Sequence, residues 1–316
     1  MSRSAPTSGA LLDLARLRRF LMIAELGSLT RAAVVLDSTQ SALSLQVGAL
    51  ERECRGRLFH RTGRGVSLTE LGERLAHRAR DLLRDAELLQ QDMRSAAGVP
   101  FGEVMLGLLP STALSIVPYL LREIAAQYPN IRLRVLEGSN GQLDEWLSQG
   151  RLDIALVYRY GRGKAPNEEG LVKVDSWLVG RRGDALTRTP VVAFQRLHRL
   201  PLVLPNLPNG LRVALDQQAR RKAIELSIAV EVDSIPIQKE LAQQGFGHAV
   251  LALQAVQREL ESGELQGARI VSPGIDRIVT LAASSRHPAT LASRSVSQLL
   301  RRGIGKLIPA AGTRLG

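Results

Sequence analysis

The chain has 316 residues, 45% of them hydrophobic and 23% charged, and carries a formal charge of +12 with a pI near 10.8. That length supports two or three domains with real cores, and the composition excludes a disordered or fibrous chain. The basic surplus fits a polyanionic partner, but residues 1–100 hold only 15 arginines against 11 acids and the remainder carries the larger share, so charge alone marks no nucleic-acid domain. The lone Cys54 excludes an intramolecular disulfide framework and fits a reducing compartment. Its place on the apolar side of a helix end predicts a buried structural thiol. Residues 1–12 lack the apolar run of a secretion signal and are expected to form a disordered tail. No stretch approaches about 18 uncharged apolar residues, so no membrane span and a cytoplasmic location are expected.

Asp13 can cap a first helix with Leu14, Leu17, Leu21 and Ala24 inward, ending at Gly27. From Ser28 to Thr69 two short helices meet at a tight corner. Ala32, Ala33 and Leu36 face inward on one, Leu43, Val47 and Leu50 on the other, with Asp37, Ser38 and the N-cap candidate Thr39 between them. Small residues at Ala32, Ala33 and Ala42 allow the close crossing of a helix-turn-helix. On the opposite side of the second helix stand Gln40, Ser41, Ser44 and Gln46, short or amide side chains able to read base edges in a major groove. Leu58 and Phe59 then start an extended run, Gly63-Arg64-Gly65 turns it, and Val66-Ser67-Leu68 returns. Arg61 and Arg64 at the tip suit phosphate contact or minor-groove insertion, as in the wing of a winged helix.

Residues 13–73 resemble the N-terminal module of LysR-type transcriptional regulators, through GSLTRAA, TQSALSLQVGALE and RLFHRTGRGVSLTELGE and their spacing. The resemblance implies that Thr30, Gln40, Ser41, Ser44 and Arg64 stand at DNA-contacting positions; Arg31, Thr39, Gln46 and Arg61 complete the candidate set. Three departures are visible: Leu45 stands where an arginine is common, Ser38 replaces an apolar residue, and Cys54-Arg55-Gly56 replaces a Leu-Gly-Val type helix ending. The missing cation at Leu45 puts one contact in question, with Arg55 or Arg57 as a replacement.

Thr69 opens a proline-free segment reaching Pro100, in which Leu75, Leu82 and Leu89 share one heptad position and Ala79, Ala86 and Met93 the other. A three-heptad seam can dock on its own domain. Pairing of subunits is the favoured expectation, because two heads read two half-sites, and the resemblance also implies a dimerising linker helix. Ala96-Ala97-Gly98-Val99-Pro100 marks a hinge.

Beyond it, strands at 103–109, 131–136 and 152–158 alternate with helices at 112–128 and 141–149, the pattern of parallel βαβ units. Gly161-Arg162-Gly163-Lys164 lacks phosphate-loop spacing and reads as a solvated basic loop. A second lobe is expected from strands near 171–180, 202–204, 228–232 and 248–252 and helices at 211–226, 236–244 and 254–260. Ile278 to Ala283 returns toward the first lobe, and Ser293 to Gly303 is the last helix. This order is similar to the regulatory domain of the same family, which implies a two-lobed periplasmic-binding-protein-like fold and extends the resemblance from about Leu12 to Gly303. The segments LLPSTALSIVPYLL, YPNIRLRVLEGSNGQLDEWLSQGRLDIALVY and LPLVLPNLPNGLR look most like the subgroup around the nitrogen assimilation control protein.

The expected fold class is therefore α/β with an all-α winged helix-turn-helix N-terminal domain. Its expected order is a tail (1–12), the DNA-binding domain (13–69), the linker helix (70–97), an effector-binding domain (98–303) and a tail (304–316). Lobe I spans about 101–160 and 278–303, and lobe II about 166–277.

Ligands of open α/β sheets bind beyond the carboxyl ends of the strands. Here that rule points to Pro110-Ser111-Thr112, Gly138-Ser139-Asn140, Tyr158, Pro205-Asn206, Asp233-Ser234 and the Gly245-Phe246-Gly247-His248 segment. Helix N-termini there favour an anion, so the expected effector is a small carboxylate. The serines and Thr112 also fit plain N-caps. The resemblance places effector positions at Ser111, Thr112, Asn140, Tyr158 and Phe246, and a bulky Phe246 with His248 would narrow the pocket.

The five histidines show no metal-ligand spacing, Gly138-Ser139-Asn140-Gly141 is not a nucleophile elbow, and Glu168-Glu169 reads as a solvated pair. No enzyme, cofactor or metal is expected. The expected function is sequence-specific transcriptional regulation, with operator DNA, a small organic anion, further copies of the chain (dimer or tetramer) and RNA polymerase as partners. The alternatives are an effector-independent regulator, a non-DNA α/β enzyme and a solute-binding sensor.

Overall fold

The computed structural model describes residues 13–63, 65–95, 98–160 and 166–312. The expected N-terminal tail, Arg64, Ala96-Ala97 of the hinge, the loop at 161–165 and the last four residues lie outside the described residues. The chain divides into two compact units, with the boundary between Met93 and Arg94.

In the first unit, Asp13 accepts from the N–H of Ala15 at 2.9 Å and opens α1 (Leu14–Leu26), which Gly27 closes in the left-handed region at φ 60°. Ser28 caps α2 (Leu29–Val35), and Thr39 caps α3 (Gln40–Glu53). Leu17, Phe20, Ile23, Ala32, Leu43 and Leu50 fill the space between the three helices. Each leucine removed from water contributes about 1.5–3 kcal/mol. The inward stripe of α1 thus includes Phe20 and Ile23, whereas Leu14 and Ala24 are only half-buried.

Strands β1 (Phe59–Thr62) and β2 (Gly65–Leu68) pair antiparallel, Thr62 opposite Gly65. The Glu51 carboxylate accepts the N–H groups of Leu58 at 2.8 Å and Phe59 at 3.3 Å, tying the end of α3 to the hairpin. Phe20 and Phe59 pack with ring centroids 5.3 Å apart and planes tilted by 54°. Cys54, at the C-cap of α3, is half-buried rather than buried. Desolvation, then Glu53 and Glu51, push its thiol above the ordinary range, away from a reactive thiolate.

Thr69 accepts from Gly72 N–H at 3.0 Å and opens α4 (Glu70–Ser95). This helix splits the expected heptad seam. Leu75 and Ala79 pack with Ala76 and Leu83 onto the three-helix core, while Leu82, Leu89 and Met93 stay exposed. The first heptad is therefore spent on the helix's own domain, and the later two present a bare apolar edge.

In the second unit one sheet has the order β4-β3-β5-β13-β6. Its strands are β3 (Gly102–Leu108), β4 (Ile131–Glu137), β5 (Ile154–Arg159), β6 (Glu168–Val174) and β13 (Arg277–Ala283), which runs antiparallel to β5 and β6. Helices α5 (Pro110–Gln127), α6 (Asn140–Ser148) and α10 (Leu291–Leu307) cover it. Helix α10 runs past the expected end at Gly303 because Ile304 and Ile308 are buried in this core. The Arg159 guanidinium holds Asp144 of α6 and Glu168 of β6 at 3.0 Å, and Arg301 holds Glu169, so this acid pair lies on a strand in ion pairs.

The other sheet has the order β10-β9-β11-β7-β12-β8. Its strands are β7 (Ser176–Arg181), β8 (Val191–Ala193), β9 (Pro201–Leu204), β10 (Ser227–Glu231), β11 (His248–Ala252) and β12 (Leu265–Val271), and its helices α7 (Gly210–Arg221), α8 (Ile235–Gln243) and α9 (Leu253–Ser262). Alternation along β7 decides its two cores: Leu178 packs with Phe194 and Leu215 on one face, Trp177 and Val179 with Leu251 and Val256 on the other.

The single strand expected near 171–180 is two strands, β6 and β7, in different sheets, and the chain passes between the lobes at Asp175. Lobe I therefore reaches Val174 rather than ending near 160. Helix α7 stops at Arg221, short of Leu226, because Ala223 takes φ 53°. Strands β8 and β12 had no clear signature, being short or broken by polar residues.

Candidate DNA-reading face and ligand cavity

Leu43 and Leu50 turn inward on α3, so Ser41, Leu45, Gly48 and Arg52, spaced by one and two turns, point the other way. Ser41 and Leu45 are exposed there, Leu45 at 75%, and a Cβ on Gly48 would meet nothing within 4 Å, while Gln40 is exposed on the flank as the first residue of α3. Ser44 adjoins this face and is half-buried. Thr39 caps α3 through the Ala42 N–H at 3.2 Å and lies 3.1 Å from the Ser41 hydroxyl, so its oxygen is already engaged. Gln46 corrects the expectation: it sits on the flank toward α1, where its carbonyl accepts from Arg19 at 3.1 Å. Thr30 is exposed on α2, which Ser28 caps. Arg31 is exposed and donates to the Leu26 carbonyl at the end of α1. Arg61 is exposed on the hairpin.

The hairpin is held in place by a close backbone approach. Val66 N–H donates to Gly27 carbonyl at 2.9 Å, and a Cβ on Gly65 (φ 148°) would lie 2.1 Å from that same oxygen. Only glycine lets the two backbones meet. A polar helix face beside a docked two-stranded wing has the size and chemistry to enter a major groove while the wing meets the backbone.

In the second unit the carboxyl ends of β3, β4, β5, β9, β10 and β11 surround a cavity of about 620 Å³ between the lobes. Ser111, Ser139, Asn140 and Tyr158 line it. Ser139 caps α6 in a reciprocal capping box with Gln142. Asn140 clamps the Tyr158 backbone through both its amide atoms, at 3.0 and 3.1 Å. The buried Tyr158 hydroxyl meets Ser111 of lobe I at 3.1 Å and is also bonded by Gln254 of lobe II, so it links the lobes. Desolvation drives its phenol above the ordinary range, and the hydroxyl stays protonated. Helices α5, α8 and α9 begin without a side-chain cap, and their first-turn residues Pro110, Ser111, Ile235 and Ala255 line the cavity. Three helix N-termini therefore border one space, although Pro110 and Pro236 carry no N–H and the Thr112 N–H is bonded to the Leu109 carbonyl.

Four expected ligand residues are not among those lining it. Thr112 is fully buried and its hydroxyl donates to the Leu109 carbonyl at 3.0 Å, because it lies on the core side of α5's first turn. Asn206 is turned outward and binds the Asp233 carboxylate at 3.0 Å. Ser234 is the N-cap of α8 but makes no cap bond and is not a wall residue. Phe246 is 59% exposed, and with His248 it lies at the amino end of β11, away from the cavity that Val250, Leu251 and Ala252 line; neither narrows the pocket. His248 instead reaches Asp184 at 3.1 Å. Thr112→Val is accordingly expected to leave ligand binding unchanged and to cost about 1 kcal/mol of stability, as read by calorimetric titration and thermal melting.

Asp233, at the end of β10, is a wall residue as the strand-end rule indicates, and wall residues not foreseen are Glu137, Tyr160, Gln238 and Arg277. Arg277 opens β13, which runs against β5, so its amino end meets the carboxyl ends of the parallel strands. A charged residue heading the apolar run RIVTLAA was the available signal. Among the described residues no group of His, Cys, Asp and Glu could hold a metal ion, and no helix is long and apolar enough to cross a membrane.

Residues 14–73 match the model of the bacterial regulatory helix-turn-helix proteins of the lysR family, and residues 97–305 match the LysR substrate binding domain. The chain belongs to the LysR family. It is 32% identical to the nitrogen assimilation regulatory protein nac of Escherichia coli (strain K12), over 90% of this chain and 93% of that relative. It is 28% identical to the HTH-type transcriptional regulator CfxR of Cupriavidus necator, over 94% and 96% of the two chains. Among solved structures, full-length CbnR complexed with its target DNA gives a TM-score of 0.70 at 20% identity, covering 92% of this chain and 99% of that one. A full-length OxyR point variant from Pseudomonas aeruginosa gives 0.69 at 20% identity, covering 96% and 98%. This LysR-type protein is thus a DNA-binding transcriptional regulator with an effector-binding domain, and not an enzyme.

Proposed function

We propose that this regulator reads its operator through Gln40, Ser41 and Ser44 of α3, with Arg61 and Arg64 of the wing on the phosphate backbone. The carrying observation is the exposed polar edge of α3 beside a wing locked to Gly27. Gln40 can make a bidentate contact to adenine, and its loss removes sequence readout as well as affinity. Gln40→Ala is expected to weaken operator binding by about 1–3 kcal/mol and to relax preference at one base pair. Fluorescence anisotropy on operator variants checks it; unchanged affinity and preference would refute the assignment.

The protein acts as a homodimer or homotetramer joined along the bare edge of α4, and it works in the cytoplasm with RNA polymerase as a further partner. The cavity takes a small organic anion, a reading supported by three uncapped helix ends on one space. Binding across the Tyr158–Gln254 contact biases the lobes toward one arrangement and so shifts the spacing of the DNA heads.

A further inference from the structure

Resting on that reading of the cavity, we propose that its ligand is a monocarboxylate whose two oxygens are gripped side-on by the guanidinium of Arg277. Arg277 is 4% exposed and lines the cavity. Its guanidinium lies 4.8 Å over the Tyr158 ring and is hydrogen-bonded with the Tyr160 hydroxyl. These aromatic neighbours fix the plane of the group but leave one edge unused. Nε and Nη2 are both buried and have no hydrogen-bond partner among the described residues. Those two nitrogens form the edge of an arginine that matches the two oxygens of a carboxylate in a paired, parallel geometry. A buried cation with two unmet donors is a costly arrangement unless an anion completes it.

The remaining wall limits how much negative charge the ligand carries. Arg277 is the one cation among the described lining residues, and Glu137 and Asp233 are acids on the same wall. A dianion or a phosphate ester would meet two carboxylates and have a single counter-charge, whereas one carboxylate is balanced by Arg277 and assisted by the open helix ends. Leu109, Leu211, Ile235, Val250 and Leu251 supply an apolar surface for the body of the ligand.

The test titrates the full-length protein calorimetrically with benzoate, phenylacetate, lactate and the L-amino acids. Benzamide and phenylacetamide serve as neutral counterparts, and succinate and glucose 6-phosphate as more highly charged anions. At least one monocarboxylate is expected to bind with saturable heat. Its amide and the polyanions are expected to bind at least tenfold more weakly. Arg277→Gln should lose at least tenfold in affinity and Arg277→Lys should keep part of it, while both still retard promoter DNA and so report a folded protein. Ala255→Trp, which fills the cavity from α9, separates the two levels of inference. Heat that survives Ala255→Trp places the ligand outside the cavity and overturns the cavity reading. Heat lost in Ala255→Trp but kept in Arg277→Gln overturns the Arg277 assignment alone. Equal binding of acid and amide, preference for the polyanions, or no monocarboxylate bound by the wild type also overturns it.

Discussion

Leu82→Glu combined with Leu89→Glu is expected to leave the winged helix folded and to lower operator affinity by at least about 100-fold. Both leucines sit on the exposed edge of α4, with Met93 one turn beyond Leu89. The residues that hold α4 to its own domain, Ala76, Ala79 and Leu83, are buried about a quarter turn round the helix and are untouched. In a paired helix the two leucines of each subunit leave water, at about 1.5–3 kcal/mol per side chain, and two carboxylates placed there add desolvation and like-charge repulsion. Loss of pairing removes the gain of roughly 10²–10⁴ in avidity that a second linked head supplies. Sedimentation equilibrium should show a monomer, circular dichroism an unchanged helix content, and mobility-shift titration the lost affinity. A variant that sediments as wild type and binds the operator as tightly would show that α4 does not join the subunits.

The second large effect is expected at Gly65. An alanine there would set its Cβ 2.1 Å from the carbonyl oxygen of Gly27, far inside contact distance, at a backbone φ of 148° that side chains rarely tolerate. Neither partner can yield cheaply. Gly27 is the left-handed C-cap of α1, and Gly65 opens β2, whose Val66 N–H is bonded to that same oxygen. The overlap and the backbone strain together cost about 2–5 kcal/mol, relieved only by detaching the wing from α1. Gly65→Ala should lower the melting temperature of the N-terminal unit and weaken operator binding more than tenfold, because the wing no longer holds its cations against the backbone. Gly63→Ala is the control: nothing lies within 4 Å of its Cβ, and a change within about 0.5 kcal/mol is expected. Equal behaviour of the two variants would remove the wing-docking argument.

The uneven legibility of the two sites has a physical source. Asp13, Thr39 and Thr69 were readable as caps, because a cap needs only an oxygen within reach of N–H groups two or three residues away. Gln46 was misplaced by a flank, since periodicity tells which side of α3 is buried but not that Arg19 of α1 claims an amide on the shoulder. In the cavity, Ser139 and Asn140 followed from the end of β4, whereas Phe246 and His248 failed because they stand at the start of a strand, not at its end. Thr112 failed over one residue's rotation about α5, which turned it from the ligand side to the core.

By itself the sequence determined what short-range forces decide: a capped helix pair, a glycine-bracketed hairpin, a heptad pattern, and alternating strands and helices, each encoded within about ten neighbouring residues. The tertiary structure alone decided which heptad stayed bare, where β6 and β7 part between two sheets, and that Arg277 comes to lie over Tyr158. Those outcomes depend on strand order and direction across long stretches of chain, and they are set by the mutual burial of whole faces rather than by any run of neighbouring residues.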